Sequence, residues 1–263
     1  MENNNPLVSV IIACYNAEQY IDLCFEGLLN QTYQNFEIIV CDDASTDSSL
    51  KKLNEWETKD GRIKVLHNEK NMFAPYTRNR CLEISQGEFC MIHDIDDTST
   101  PDRIEKQVKV LQNEPDLGFV SGSMAAFVEN PGETFTVLKN KKEYPTKWDF
   151  LWNTPFFHPV SMFTRECIMS VGGYRVAEET RRGQDYDMFM RMYAAGYKGK
   201  NIDEPLYNFR MDAANIKRRT FKARIGEYKI RKFGFKAMGL MPWAFPFLFK
   251  PFVAHIVQKI RYR

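Results

Sequence analysis

The chain has 263 residues, 44% hydrophobic and 27% charged, which suits one large globular domain or two small ones and excludes a disordered or fibrous class. No stretch reaches the roughly 18 uninterrupted apolar residues of a spanning helix, and the start, "MENNNPLVS", shows neither the basic nor the apolar region of a signal peptide. The net charge of +2 conceals a division: residues 216–263 hold thirteen Lys and Arg against one acid, Glu227, a local +12, while the remainder carries 23 basic and 33 acidic side chains, or −10.

In chain order, "VSVIIAC" (8–14), "FEIIVC" (36–41), "IKVLH" (63–67) and "FCMIH" (89–93) are short apolar runs rich in β-branched residues and read as strands. Between them lie helical patterns. Ile21, Phe25, Leu28 and Leu29 repeat within 17–30, a second pattern runs over 75–86 and stops at Gly87, and Ile104, Val108 and Leu111 repeat within 101–113. Thr100 and Pro101 suit the N-cap and first position of that last helix. Cys14, Cys41 and Cys90 sit inside the strand-like runs, and Cys24, Cys81 and Cys167 complete a set without a CxxC pair. All six read as buried thiols of a reducing compartment.

Alternating strands and helices imply crossover units and an α/β fold with a mostly parallel sheet flanked by helices. Ligands of such sheets bind beyond the carboxyl ends of the strands, which places Tyr15-Asn16, Asp42-Asp43 and Asp94-Ile95-Asp96-Asp97 on one rim. After about residue 120 the alternation weakens. Residues 154–174 are mixed, with Gly172-Gly173 ending a short helical pattern, and 183–196 are amphipathic, with Met188, Met192 and Ala195 on one stripe. The second half is expected on the same sheet, giving a first half (1–120), a second half (121–215) and a basic tail (216–263).

Three carboxylates at one strand end repel each other without a cation, and hard oxygen ligands suit Mg²⁺ or Mn²⁺, so Asp94 and Asp96 read as a metal-phosphate site. Asp102 is accounted for by the dipole of the following helix. Asp42-Asp43 fits turn chemistry and a ligand role about equally. Asp185 and Asp187 open a helix. Capping suffices for Asp187, while one carboxylate near a metal-phosphate site could serve as a general base. His67, His93, His158 and His255 have no metal spacing, and no glycine-rich phosphate loop occurs, so phosphate charge falls to the metal and to arginines such as Arg78.

Taken in order, "VSVIIACYNAEQYI", "QTYQNFEIIVCDDASTDSS", "RN" at 78–79, "DIDDTSTPDRIEKQV", "HPVSMFTR", "GGYR" and "QDYDMFMRM" make residues 6–212 resemble the family-2 inverting glycosyltransferases with the GT-A fold, a Rossmann-like architecture, of the bacterial cell-surface polysaccharide and lipopolysaccharide type. The resemblance implies that Tyr15 and Asp43 hold the nucleotide base, usually uracil, and that Asp94 lies near the ribose and diphosphate. It implies that Asp96 binds Mn²⁺ or Mg²⁺, that Arg210 lies close to the diphosphate, and that Asp185 is the catalytic base. His158 and Gly173 match positions on the acceptor side. The implied activity moves a hexose or N-acetylhexosamine from a nucleotide sugar, UDP-linked by expectation, to a hydroxyl of a glycan or lipid-linked acceptor. This chain departs from the pattern at Gln184, where the family has Glu, at Phe73 and Cys81, where it often has glycine, and at "MDAANIK" after Arg210, where Arg-x-His is common.

The tail interleaves ten aromatics with its thirteen cations, and Pro242, Pro246 and Pro251 interrupt it. That pattern suits the surface of an anionic bilayer, which would place the protein in the cytoplasm on the inner face of the cell membrane. The alternative is a helix packing its aromatics on the catalytic domain. No nucleic-acid partner is expected, since no nucleic-acid module accompanies the charge. Two other functions compete with the transferase. "DIDDT" (94–98) satisfies the nucleophile pattern of haloacid-dehalogenase phosphatases, and Gln184 admits a non-catalytic nucleotide-sugar-binding subunit.

Overall fold

The computed structural model describes residues 5–211 and 220–261. The four apolar runs form β1 (Val8–Cys14), β2 (Phe36–Asp42), β3 (Ile63–His67) and β4 (Phe89–Ile92), paired in parallel in the order β3-β2-β1-β4. Period-two alternation sends Ile11, Ile39 and Ile92 into one core cluster and Val10, Ile12, Ile38, Val40 and Met91 into another, so these strands are apolar on both faces. The chain returns between them through α1 (Ile21–Leu29), α2 (Ser49–Lys59) and α3 (Phe73–Ile84).

Past β4 the sheet becomes mixed. β8 (Met162–Thr164) lies antiparallel to β4 and to β6 (Leu117–Phe127), and β9 (Lys198–Arg210) runs parallel to β6. β5 (Thr98–Ser99) pairs with β9, and β7 (Thr136–Leu138) pairs with β6. Because β6 runs through residue 120, the second half continues the sheet of the first.

Several local expectations shift. The helix α4 (Arg103–Asn113) is capped at Asp102, not Thr100: Pro101 and Asp102 form a turn in which the Thr100 hydroxyl donates to Asp102 Oδ1 at 2.8 Å. Gly87 does not end α3, whose C-cap is Ser85. It lies against β1, where a Cβ would stand 2.6 Å from Ser9 N. α5 (Arg165–Ser170) does end at the Gly172-Gly173 pair, both left-handed at φ +71 and +62. On α6 (Gln184–Ala194), Met188 and Met192 are buried, but Ala195 is exposed beyond the last turn. All six cysteines are free and buried.

The basic tail divides. α7 (Phe221–Ala237) packs on α6, and Ile230, Phe235, Leu240 and Leu248 join the cluster of Phe150 and Phe189. A short 3-10 turn, Phe245–Phe249, leads into α8 (Lys250–Arg261), which lies on α7. Trp243, Phe245, Phe249, Val253, Ile256 and Val257 instead face outward, 42–75% exposed. Among the described residues no helix is long and apolar enough to cross a membrane.

Candidate active site

The parallel register aligns the carboxyl ends of the first strands. Cys14 lies opposite Asp42, Asp43 N–H donates to Cys14 O at 2.8 Å, and His93 N–H donates to Ile11 O at 3.2 Å. The three expected clusters therefore share one rim. Asp42 is fully buried, with Oδ2 accepting from Ser45 N at 3.0 Å and pairing with His67 Nδ1 at 3.0 Å, so it serves the turn. Asp43 is different. Its Oδ1 accepts from Asn68 Nδ2 at 2.7 Å and Met72 N at 2.8 Å, which wraps residues 68–72 around it, while the nearby Tyr15 ring stays half exposed.

At the end of β4, Asp94 Oδ1 meets the buried Arg78 Nη2 at 2.5 Å. Arg78 Nε and Nη1 are buried without a hydrogen-bond partner among the described residues, so a single nitrogen meets the carboxylate. Burial, and then the charge of Asp94, raises the Asp96 carboxyl above its usual range. Burial, Asp96 and Asp94 push Asp97 well above it, although its Oδ1 accepts from Arg210 N at 2.7 Å. The end of β9 delivers Arg210 to the same place: its Nε donates to Asp96 O at 3.0 Å, and its guanidinium lies over Tyr20 and Phe127.

No group of three or more His, Cys, Asp or Glu is gathered as a metal cage among the described residues. Mg²⁺-like ions are usually held by one or two carboxylates together with substrate phosphates and water, so Asp94 and Asp96 fit such an ion. Burial first and the charge of Asp94 second raise the Asp96 carboxyl, and a cation bound there would offset both.

Across the cleft, Asp185 stands in the first turn of α6 and lines a cavity of about 750 Å³ with Thr154, Arg181, Arg182, Lys222 and Lys229. Tyr174 links the two sides. Its hydroxyl is 2.6 Å from His158 Nε2, and the Arg78 guanidinium lies 5.8 Å from its ring centre. Burial raises the Tyr174 hydroxyl pKa; Arg78 opposes this, while Asp94 and Asp185 add to it, so both acids act on one phenol. His158 is kept neutral by burial and by Arg78. Asn79 exchanges two 2.8 Å hydrogen bonds with the Tyr174 backbone, and a Cβ on Gly173 would fall 2.6 Å from Asn79 Oδ1. Gly173 thus positions Tyr174 by being small and left-handed.

Asp187 needs more than a helix dipole to explain it. It is buried and pairs with Arg175 and Arg191, each at 2.8 Å. Gln184 Oε1 is buried without a hydrogen-bond partner among the described residues. Of "MDAANIK", everything after Met211 lies outside the described residues. Neither Tyr174 nor Asn68 is assigned a role by the sequence, although Tyr174 stands within "GGYR", directly after Gly172-Gly173.

A Rossmann-like sheet, parallel in its first half and mixed beyond β4, with an acid cluster on its carboxyl rim, is the architecture of the GT-A fold. The chain belongs to glycosyl transferase family 2, whose family model matches residues 9–172. It is 34% identical over 220 residues to EpsE of Bacillus subtilis (strain 168), designated a glycosyltransferase, covering 83% of this chain and 78% of EpsE. Among solved structures it resembles S. aureus TarS 1-349 in complex with UDP, at TM-score 0.68 and 19% identity, over 88% of this chain and 64% of that one. It also resembles the mannosyltransferase PcManGT from Pyrobaculum calidifontis in complex with GDP-Man and Mn²⁺, at TM-score 0.65 and 19% identity, over 97% of this chain and 76% of that one. Family membership answers the phosphatase alternative.

Proposed function

We propose that the protein is an inverting, metal-dependent hexosyltransferase of surface polysaccharide synthesis. It moves a hexose or N-acetylhexosamine from a nucleotide sugar, UDP-linked, to a hydroxyl of a glycan or lipid-linked sugar. The observation that carries this reading is the convergence of Asp94, Asp96, Arg78 and Arg210 at one rim, with Tyr174 joining that rim electrostatically to Asp185. Residues 1–120 form the nucleotide-sugar half, with Tyr15 and Asp43 holding the base. Residues 121–215 form the acceptor half, with His158 and Gly173 shaping its wall.

Asp96, with Asp94 beside it, would hold Mn²⁺ or Mg²⁺, which when bound supplies positive charge against the diphosphate. Asp185 takes the proton from the acceptor hydroxyl. That oxygen bonds to the anomeric carbon as the bond from this carbon to the diphosphate oxygen breaks on the opposite face, so the configuration inverts. Arg78 and Arg210 meet the charge of the departing diphosphate. A base so placed supplies about 10²–10⁴-fold.

The outward apolar face of residues 243–257 and the local +12 charge support docking of the tail on an anionic membrane surface, on the cytoplasmic side, where a lipid-carried acceptor would be met.

The test is a panel of nucleotide sugars with Mn²⁺, read by thermal shift and by nucleotide release. Metal-dependent stabilisation by one UDP-sugar is expected, lost in Asp96→Ala, with turnover lost but binding kept in Asp185→Ala. Silence toward every nucleotide sugar would overturn the reading. Binding without turnover, even when acceptors are supplied, would favour the non-catalytic subunit that Gln184 admits.

A further inference from the structure

Phe73 occupies a backbone conformation that suits glycine. Its φ is +66, which costs a bulky L-residue about 1–2 kcal/mol. Burial of the rest of a ring that is 43% exposed offsets that cost. The backbone around it is nonetheless tied down: Phe73 N donates to Asn71 Oδ1 at 3.1 Å, and the preceding Met72 N donates to Asp43 Oδ1 at 2.8 Å. The ring therefore has a fixed place beside the donor-side acid Asp43.

A cationic neighbour of the ring comes from the other half of the molecule. The Arg181 guanidinium lies 3.8 Å from the Phe73 ring centre. Arg181 belongs to the 3-10 turn Glu178–Arg182, lines the cavity that contains Asp185, and lies four residues before that acid. An exposed cation–π contact contributes about 0.5–1 kcal/mol, no more than the strain at Phe73. The contact by itself therefore adds little to stability; what sets it apart is that it joins the two halves of the molecule. Strain of this kind persists where the surrounding structure uses it, as in ligand clamps.

We propose that Phe73 and Arg181 form a clasp across the mouth of the cleft. Phe73 reaches from the loop that wraps Asp43, and Arg181 reaches from the turn that precedes Asp185. The contact holds the wall carrying Asp185 at a fixed distance from the donor side. Both are positioning residues for the transfer proposed above, on which the kinetic half of this inference rests. The clasp itself is a statement about the folded chain.

Two measurements test it on the full chain. In hydrogen exchange, Phe73→Gly and Arg181→Ala should each speed exchange of the backbone amides of 178–183 by about two- to fivefold, with the double variant no faster than either single one. Unchanged exchange at 178–183, or single effects that multiply in the double variant, would overturn the clasp. In turnover, read as nucleotide release, each variant should lose about tenfold or more while the Kd for UDP with Mn²⁺ stays within about threefold of the parent. Loss of UDP binding in Phe73→Gly would make Phe73 a donor-binding residue and defeat the positioning role. A parent protein that ignores UDP altogether defeats the transferase reading and leaves the exchange comparison intact.

Discussion

Arg78 meets Asp94 at 2.5 Å through Nη2 alone, while its Nε and Nη1 stay buried without a hydrogen-bond partner among the described residues. An arginine held this way fixes Asp94 in place and sets a buried positive charge at the rim, where the diphosphate is proposed to sit. Hydrogen bonds to charged groups contribute about 1.5–3 kcal/mol each. Arg78→Ala should therefore weaken UDP binding in the presence of Mn²⁺ by about tenfold or more. Arg78→Lys should recover only part of it, since an ammonium lacks the planar fork. Calorimetric titration with UDP decides this, and equal affinity in parent and Arg78→Ala would remove Arg78 from the donor site.

The acid cluster makes a prediction about pH. Asp96 and Asp97 have raised pKa values in the folded protein, so between the ordinary carboxylate range and those raised values the folded state binds more protons than the unfolded state. Stability contributed by these groups therefore falls as pH rises, and their repulsion is fully expressed near neutrality. Mn²⁺ should raise the melting temperature more at about pH 7.5 than at about pH 5, where protonation competes with the ion. His93, depressed to about 3, and His158 act with the opposite sign, losing stability as pH falls below their unfolded value. Comparing melting temperatures with and without Mn²⁺ at each pH cancels the histidine contribution. Asp97→Asn should stabilise the metal-free protein, because one repelling charge goes while Arg210 N keeps an acceptor. An equal Mn²⁺ increment at both pH values would sink the argument.

Asp187 carries a prediction about stability alone. Its carboxylate is buried between Arg175 and Arg191, so Asp187→Asn leaves Arg191 without its counter-charge and Arg175 with Glu179 alone. Removing one partner of a buried pair costs about 3–5 kcal/mol, and the lower end applies here because Arg175 is partly exposed. Urea unfolding should show a loss of about 3 kcal/mol with an unchanged slope. A variant as stable as its parent would show that the triad contributes nothing net.

The strands from β1 to β4 were legible because a buried parallel strand is a continuous apolar run, and their carboxyl ends fixed the rim before any coordinates. The acids of that rim were legible as a group, since charge density at a strand end has few innocent explanations. What separates Asp42 from Asp43 was not legible: both close β2, and only the fold shows His67 and Ser45 taking one while Asn68 and Met72 wrap the other. Tyr174 was hidden for a similar reason, because its partners His158 and Asn79 lie 16 and 95 residues away. At Thr100 and Gly87 a plausible cap residue is outweighed by other contacts: Thr100 bonds to Asp102 and to Leu206 O, and Gly87 lies against Ser9. The tail's two roles were indistinguishable in composition, since Phe235 and Phe249 look alike until the packing buries one and exposes the other.

That exposed face yields the last prediction. Phe245, Phe249, Val253, Ile256 and Val257 recur at helical spacing on the outward side, with Trp243 beside them and Lys250 and Lys259 on the same helix. An apolar face turned to water needs a covering, and the local +12 charge selects an anionic surface over a neutral one. The full chain should sediment with phosphatidylglycerol-rich vesicles, and its affinity should fall as salt rises. Binding to neutral phosphatidylcholine vesicles should be weaker by about tenfold or more, at about 1 kcal/mol for each basic residue near the surface. Replacing Val253, Ile256 and Val257 together by serine removes side chains that contribute about 1.5 kcal/mol or more each when buried, so vesicle binding should fall by at least about a hundredfold. Nucleotide release in free solution should be unaffected, because none of the three lines the cavity of Asp185. Equal binding to both vesicle types would overturn the selection of an anionic surface, and a parent that is dimeric while the triple variant is monomeric would assign this face to another copy of the chain instead of a membrane.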